Sequence, residues 1–113
     1  MLDRENAQRF SKELKIDLYT VYREYLQLLF LKHFYDNKQS SRVYFKGGTA
    51  IRFIFGSFRF SEDLDFSSIL KKETLKRLAL DTVKDLKSEG EELRFRESRT
   101  LDDSFRGRLF QDL

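Results

Sequence analysis

Apolar residues recur every three or four positions between Asp17 and about Asn37: Leu18, Val21, Tyr22, Tyr25, Leu29 and Phe34. That spacing predicts one long helix with a broad buried face. Phe30, Leu31 and Tyr35 widen the face enough to imply burial on more than one side. Before it, residues 4–14 read as a short, mostly polar helix. The period then changes. After the turn "NKQSS", the run "RVYFK" at 42–46 is β-branched and aromatic and stops at Gly47-Gly48, which predicts a strand. "TAIRFIF" follows as a two-turn helix closed by Gly56, a common C-terminal stop. From Asp63, "DLDFS" alternates polar and apolar, as a second strand does. Leu75, Leu78, Leu80, Val83 and Leu86 mark an amphipathic helix over 72–89, ending near Gly90. "EELRFRES" and "SFRGRLFQDL" alternate again and predict two more strands around the turn "RTLDD". The order α-α-β-α-β-α-β-β implies a sheet with helices packed on it, of the α/β or α+β class.

Composition narrows the picture modestly. A length of 113 residues suits one small domain, and without proline, linker or repeat no internal boundary is visible. The expectation is one domain over 1–113, with N-terminal helices at 4–37 and a sheet region at 42–113. Hydrophobic residues make up 40% and charged residues 36%, so the core is thin, and twelve Phe and five Tyr supply much of it. The absence of cysteine excludes disulfides, thiolate metal sites and Cys-His nucleophiles. A net charge of +3 permits an anionic partner without identifying one. The polar N-terminus lacks a signal-peptide apolar segment, and no apolar run approaches the ~18 residues that span a bilayer. A soluble cytoplasmic protein with no membrane partner is expected.

The chemistry concentrates in "FKGGTAIRFIFGSFRFSEDLDFS", residues 45–67. A strand running through Gly47-Gly48 into a helix lets the backbone approach a ligand closely. The free N–H groups and dipole at the helix start favour an anion, and Thr49 can add a hydroxyl donor. The plainer account is a tight strand-to-helix turn. On a strand, Asp63 and Asp65 project to one side while Leu64 and Phe66 enter the core. Two carboxylates so placed can converge on Mg²⁺, which takes carboxylate oxygens, water and substrate phosphates. Without a cation they would raise each other's pKa and weaken the sheet. The plainer account is a solvated strand face paired with Arg59 or Lys46. Together, a phosphate cradle and a carboxylate pair are the two halves of a nucleotide–metal site.

Lys46 to Ala50, "KGGTA", and Arg59 to Phe66, "RFSEDLDF", closely resemble the signature of the AbiEii-like nucleotidyltransferases, toxins of abortive-infection toxin–antitoxin pairs to which the MenT toxins are related. The upstream helix containing "YREYLQLLFLKHFY" extends the likeness. The resemblance implies a polymerase-β-like nucleotidyltransferase core: α+β, a small mixed sheet flanked by helices. It implies that Lys46, Gly47, Gly48, Thr49, Arg59 and Ser61 contact the nucleotide and that Asp63 and Asp65 hold Mg²⁺. The wider superfamily carries a third catalytic carboxylate on a later strand, for which Asp112 is the candidate. The implied activity is transfer of a nucleotide from an NTP to an RNA acceptor, namely tRNA, by a toxin with an antitoxin partner. Family members usually continue into a helical C-terminal region that is not found before Leu113, so the chain reads as a fragment of a longer protein, a minimal member, or half of a site that another chain completes. The alternatives are a non-catalytic module that binds nucleotide or a protein partner, and a small basic RNA-binding domain.

Arg52, one turn into the helix after the glycines, is either a phosphate contact or an exposed arginine. Glu62 is expected to be structural or solvent-facing. His33, the only histidine, is expected to be structural, since no cysteine or second histidine can build a zinc site with it. Arg94, Arg96, Arg99, Arg106 and Arg108, interleaved with Phe95 and Phe105, read equally as RNA phosphate contacts or a solvated strand face.

Overall fold

The computed structural model describes residues 2–56 and 60–111. The elements are α1 (Arg4–Leu14), α2 (Leu18–Asp36), a 3-10 turn (Lys38–Arg42), β1 (Val43–Lys46), α3 (Gly47–Phe55), β2 (Asp63–Ser68), α4 (Lys72–Ser88), β3 (Leu93–Ser98) and β4 (Phe105–Gln111). Their order is the one that the apolar pattern predicts.

Both N-terminal helices start at an aspartate. Asp3 and Asp17 accept the backbone N–H groups of Asn6 and Thr20 at 2.7 and 2.8 Å, satisfying donors that the helix itself leaves unpaired. The Thr20 backbone hydrogen bond, aided by the Thr20 hydroxyl, lowers the Asp17 carboxyl from its ordinary 3.8. A lowered folded-state value means that the cap stabilises above about pH 4 and is lost as pH falls through the folded pKa. Asp17→Ala is therefore expected to cost about 1 kcal/mol near neutrality. Urea denaturation at pH 7 and pH 3 should show that difference shrinking at the lower pH.

The four strands pair in the order β1-β2-β4-β3, and every pairing is antiparallel. The sheet of the α+β fold is thus antiparallel rather than mixed. The reason lies in α3, which leaves the end of β1 with no intervening loop. By Ser61 the chain is back at that same end, where the Gln27 amide of α2 donates to the carbonyls of Ser61 and Glu62 at 3.0 and 3.3 Å. β2 then has to run back alongside β1, with Lys46 opposite Asp65.

Helices α2 and α4 cover one face of the sheet. Leu26, Phe30 and Phe34 of α2 and Leu75, Leu78, Ala79, Val83 and Leu86 of α4 bury Leu64, Phe66, Leu93, Phe105 and Leu109. Phe30, Phe34, Phe66, Phe105 and Phe95 form a closed chain of rings with centroids 5.0–6.4 Å apart. Separations of that size suit stacked and tilted aromatic pairs. Two positions depart from the apolar pattern. Leu80 is 48% exposed, because the buried stripe of α4 runs through Ala79 and Thr82 instead. On α2 the buried set is Val21, Leu26, Gln27, Phe30 and Phe34, a turn of the face toward α4 and the sheet. Among the described residues no helix is long and apolar enough to cross a membrane.

Candidate active site

The site is assembled where β1 enters α3 and β2 passes beside it. Gly47 has φ +84°, a backbone conformation that side chains with a Cβ rarely adopt. A Cβ there would also collide with Oδ2 of Asp65. At Gly48 a Cβ would lie 3.3 Å from the Ser61 hydroxyl. Glycine is therefore required at 47, by its φ and by close approach to a carboxylate of β2, while Gly48 fits closely against Ser61 of the returning chain. Lys46, at the N-cap of α3, makes no side-chain capping bond, so no side chain of that residue covers the first N–H groups of the helix.

Thr49 is buried and its hydroxyl donates to the backbone carbonyl of Asp63. Its hydroxyl thus ties α3 to β2 and holds the glycine turn at the level of the aspartates. Lys46 sits opposite Asp65 in register, but its Nζ donates to the Ser104 hydroxyl.

Leu64 and Phe66 are fully buried, and Asp63 and Asp65 project from the other face, as the alternation requires. Each aspartate has a cation directly across the strand pair. Asp65 stands opposite Arg106 and Asp63 opposite Arg108. Arg106 Nε donates to Asp65 Oδ1, and Arg108 Nε donates to Asp63 Oδ1 at 3.0 Å. The hydrogen bonds to Asp65 and Asp63, respectively, push both guanidinium pKa values further up. The carboxylate repulsion expected to weaken the sheet is thus offset from β4, while Lys46 turns to Ser104. Glu62 extends the cluster, with Oε2 2.8 Å from Arg108 Nη1 and Oε1 3.5 Å from Arg23 Nη1.

Beside the aspartates lies an open cleft of about 480 Å³. Gly48, Ser61, Glu62, Asp63 and Arg108 form its polar lining, and Ile51 and Phe60 its apolar one. The size falls within the range of small-molecule sites, and one polar and one apolar wall suit a charged group joined to a ring. Arg52 does not enter this wall: it meets Glu24 through two hydrogen bonds of 2.7 and 3.1 Å and lies 3.6 Å above the Phe60 ring. It positions Phe60 against α2.

Whether these residues suit a metal can be judged from the donors. Oδ1 of each aspartate is taken by an arginine, and among the described residues Oδ2 of each accepts no hydrogen bond. Hard carboxylate oxygens are suitable ligands for Mg²⁺. Among the described residues no group of three or more carboxylates and histidines is placed to hold a metal ion. Asp112 and Arg59 lie outside the described residues.

The remaining candidates are dispersed. His33 Nε2 lies 3.2 Å from Glu89 Oε2, linking α2 to the end of α4. Arg94 and Arg96 lie over the Phe110 ring at 4.8 and 5.9 Å, so the expected basic cluster divides between that ring and the aspartates. Gln27 and the pairing role of Arg106 and Arg108 were not anticipated. A lone amide inside "YLQLLFL" was the signal for the first.

The sequence model of the family described as "Nucleotidyl transferase AbiEii toxin, Type IV TA system" matches residues 29–111. The chain belongs to this family. The match runs from the middle of α2 to the end of β4, so it takes in the glycine turn, both aspartates and both arginines. No curated protein and no solved structure gives a significant match. The AbiEii family is one of nucleotidyltransferase toxins of toxin–antitoxin systems, and four helices around a four-stranded antiparallel sheet are consistent with a small nucleotidyltransferase-like domain.

Proposed function

We propose that this AbiEii family member transfers a nucleotide from an NTP to an RNA acceptor of the tRNA class, acting in the cytoplasm as the toxin of a toxin–antitoxin pair. The observation that carries the reading is the contact of Gly47 with Asp65. It brings an uncapped helix start and a carboxylate pair to one point, beside a cleft of nucleotide size. Asp63 and Asp65 would hold Mg²⁺, which when bound supplies charge neutralisation at the phosphates and activation of the attacking hydroxyl. The N–H groups that open α3 orient the phosphates, and Ile51 and Phe60 receive the ring of the nucleotide. Ser61 lies on the cleft wall in position to contact the sugar or a phosphate. An acceptor hydroxyl forms a bond to the α-phosphorus, the bond to the bridging oxygen breaks, and pyrophosphate leaves. The hydroxyl proton passes to solvent. Positioning and electrostatic stabilisation account for such a reaction without a covalent enzyme intermediate. Lys46, Arg59 and Asp112 complete the proposed set, as nucleotide contacts and third carboxylate.

A second reading, nucleotide binding without transfer, is favoured by the pairing of both aspartates with arginines. Incubation with each α-labelled NTP, Mg²⁺ and bulk tRNA separates the two. Transfer predicts label in the RNA from at least one NTP, and its loss with EDTA. Absence of label from all four, by a folded chain that still binds an NTP, would favour the second reading.

A further inference from the structure

We infer that Arg106 and Arg108 are exchangeable counter-cations: they hold the aspartate pair while the site is free of nucleotide, then turn to the phosphates of the arriving NTP. The inference rests on the nucleotide-site reading above and assigns to β4 a part that the glycine and aspartate motifs do not contain.

Five observations carry it. The register puts each arginine directly opposite one aspartate, so a single strand pair delivers two cations to two carboxylates. Each contact runs through Nε to one carboxylate oxygen, rather than through a two-pronged fork. Among the described residues the Nη groups of Arg106 make no hydrogen bond, so donors remain on that guanidinium when it faces the aspartate. The arginine side chains are also the more exposed partners, 42% against 15% for Arg106–Asp65 and 37% against 29% for Arg108–Asp63. Arg108 already lines the same cleft as Gly48.

Charge balance points the same way. Among the described residues Glu62, Asp63 and Asp65 meet Arg23, Arg106 and Arg108, and these six charges cancel. A divalent cation entering alone leaves a double positive excess, which repels the arginines and weakens its binding. A nucleotide entering with it brings phosphate oxygens that accept those same guanidinium groups. Exposed ion pairs of this kind are weak, so the exchange has little to overcome. The arginines therefore oppose the metal when it comes alone and favour the nucleotide when both come together.

The test is calorimetric titration of MgCl₂ alone, and then of each of four α,β-methylene NTP analogues with MgCl₂. The chains compared are the unaltered chain, the single variants Arg106→Gln and Arg108→Gln, and the double variant, with circular dichroism as the check on folding. Exchange predicts opposite signs in the double variant: Mg²⁺ alone binds about tenfold tighter, and the analogue about tenfold weaker. Each single variant, which keeps one pair and is the measure should the double variant not fold, shifts both affinities the same way by less. Unchanged analogue affinity would show that the arginines only brace the strands, and unchanged Mg²⁺ affinity that they do not compete for the carboxylates. Either result overturns the inference while leaving the site intact. An unaltered chain that binds no analogue would overturn the nucleotide site itself, and the exchange with it.

Discussion

Asp65→Asn is expected to reduce nucleotide transfer by roughly 100-fold or more while leaving the chain folded. A metal that neutralises transition-state charge contributes several kcal/mol, and a carboxamide oxygen without formal charge is a poor substitute ligand. Asp63→Asn should behave alike. The stability effect is small and of a particular sign. Two unpaired carboxylates on one strand face would gain stability from the loss of one charge, but Asp65 is bonded to Arg106 and Asp63 to Arg108. Losing one partner therefore destabilises slightly, by about 0.2–1 kcal/mol for a partly exposed pair. Label transfer to RNA and urea denaturation on the same preparations check the two halves of the expectation. A stabilised Asp65→Asn chain would show that the arginine pair contributes nothing to the fold.

Gly107→Ala is expected to cause the largest loss of stability outside the site, about 3 kcal/mol. Gly107 lies on the core side of β4, opposite Leu64 of β2 and Glu97 of β3. The far end of the Phe95 ring meets it, and an added Cβ would run into Cζ and its neighbours. The ring is held by stacking on Phe30 at 5.6 Å and on Phe105 at 5.8 Å. Any shift of Phe95 opens the chain of phenylalanines or moves β4, and β4 carries Arg106 and Arg108 to the aspartates. A Phe95→Leu change made together with Gly107→Ala should recover part of the loss, because the smaller side chain leaves room for the methyl group. Chemical denaturation of both single variants and the double variant measures the coupling. Additive losses would exclude contact between the two positions as the cause.

The elements were legible because each has a strong local signal. The helix of α2 shows in its three- and four-residue spacing, and the glycine pair marks the strand-to-helix junction. The alternation of "DLDFS" sent Leu64 and Phe66 inward and both aspartates outward, as found. What was not legible is strand order. β4 is the last strand in sequence yet sits between β2 and β3, and only that insertion brings Arg106 and Arg108 to the aspartates. No local pattern distinguishes an arginine facing a carboxylate on a distant strand from one facing water. Direction was hidden for a similar reason, since a sixteen-residue connection after β1 is long enough for a parallel crossover. The Gln27 amide that holds Ser61 and Glu62 is what brings the chain back to the same end. Gly107 reads as one more residue in an alternating run until Phe95 is placed across it.

The central claim is that the glycine turn and the aspartate pair form one nucleotide–metal site. Calorimetric titration of each NTP with and without Mg²⁺, into the unaltered chain and into Asp65→Asn, tests it most directly. The account predicts binding of at least one NTP that requires Mg²⁺ and is lost in the variant. Binding that is equal in both chains and indifferent to the metal would contradict it.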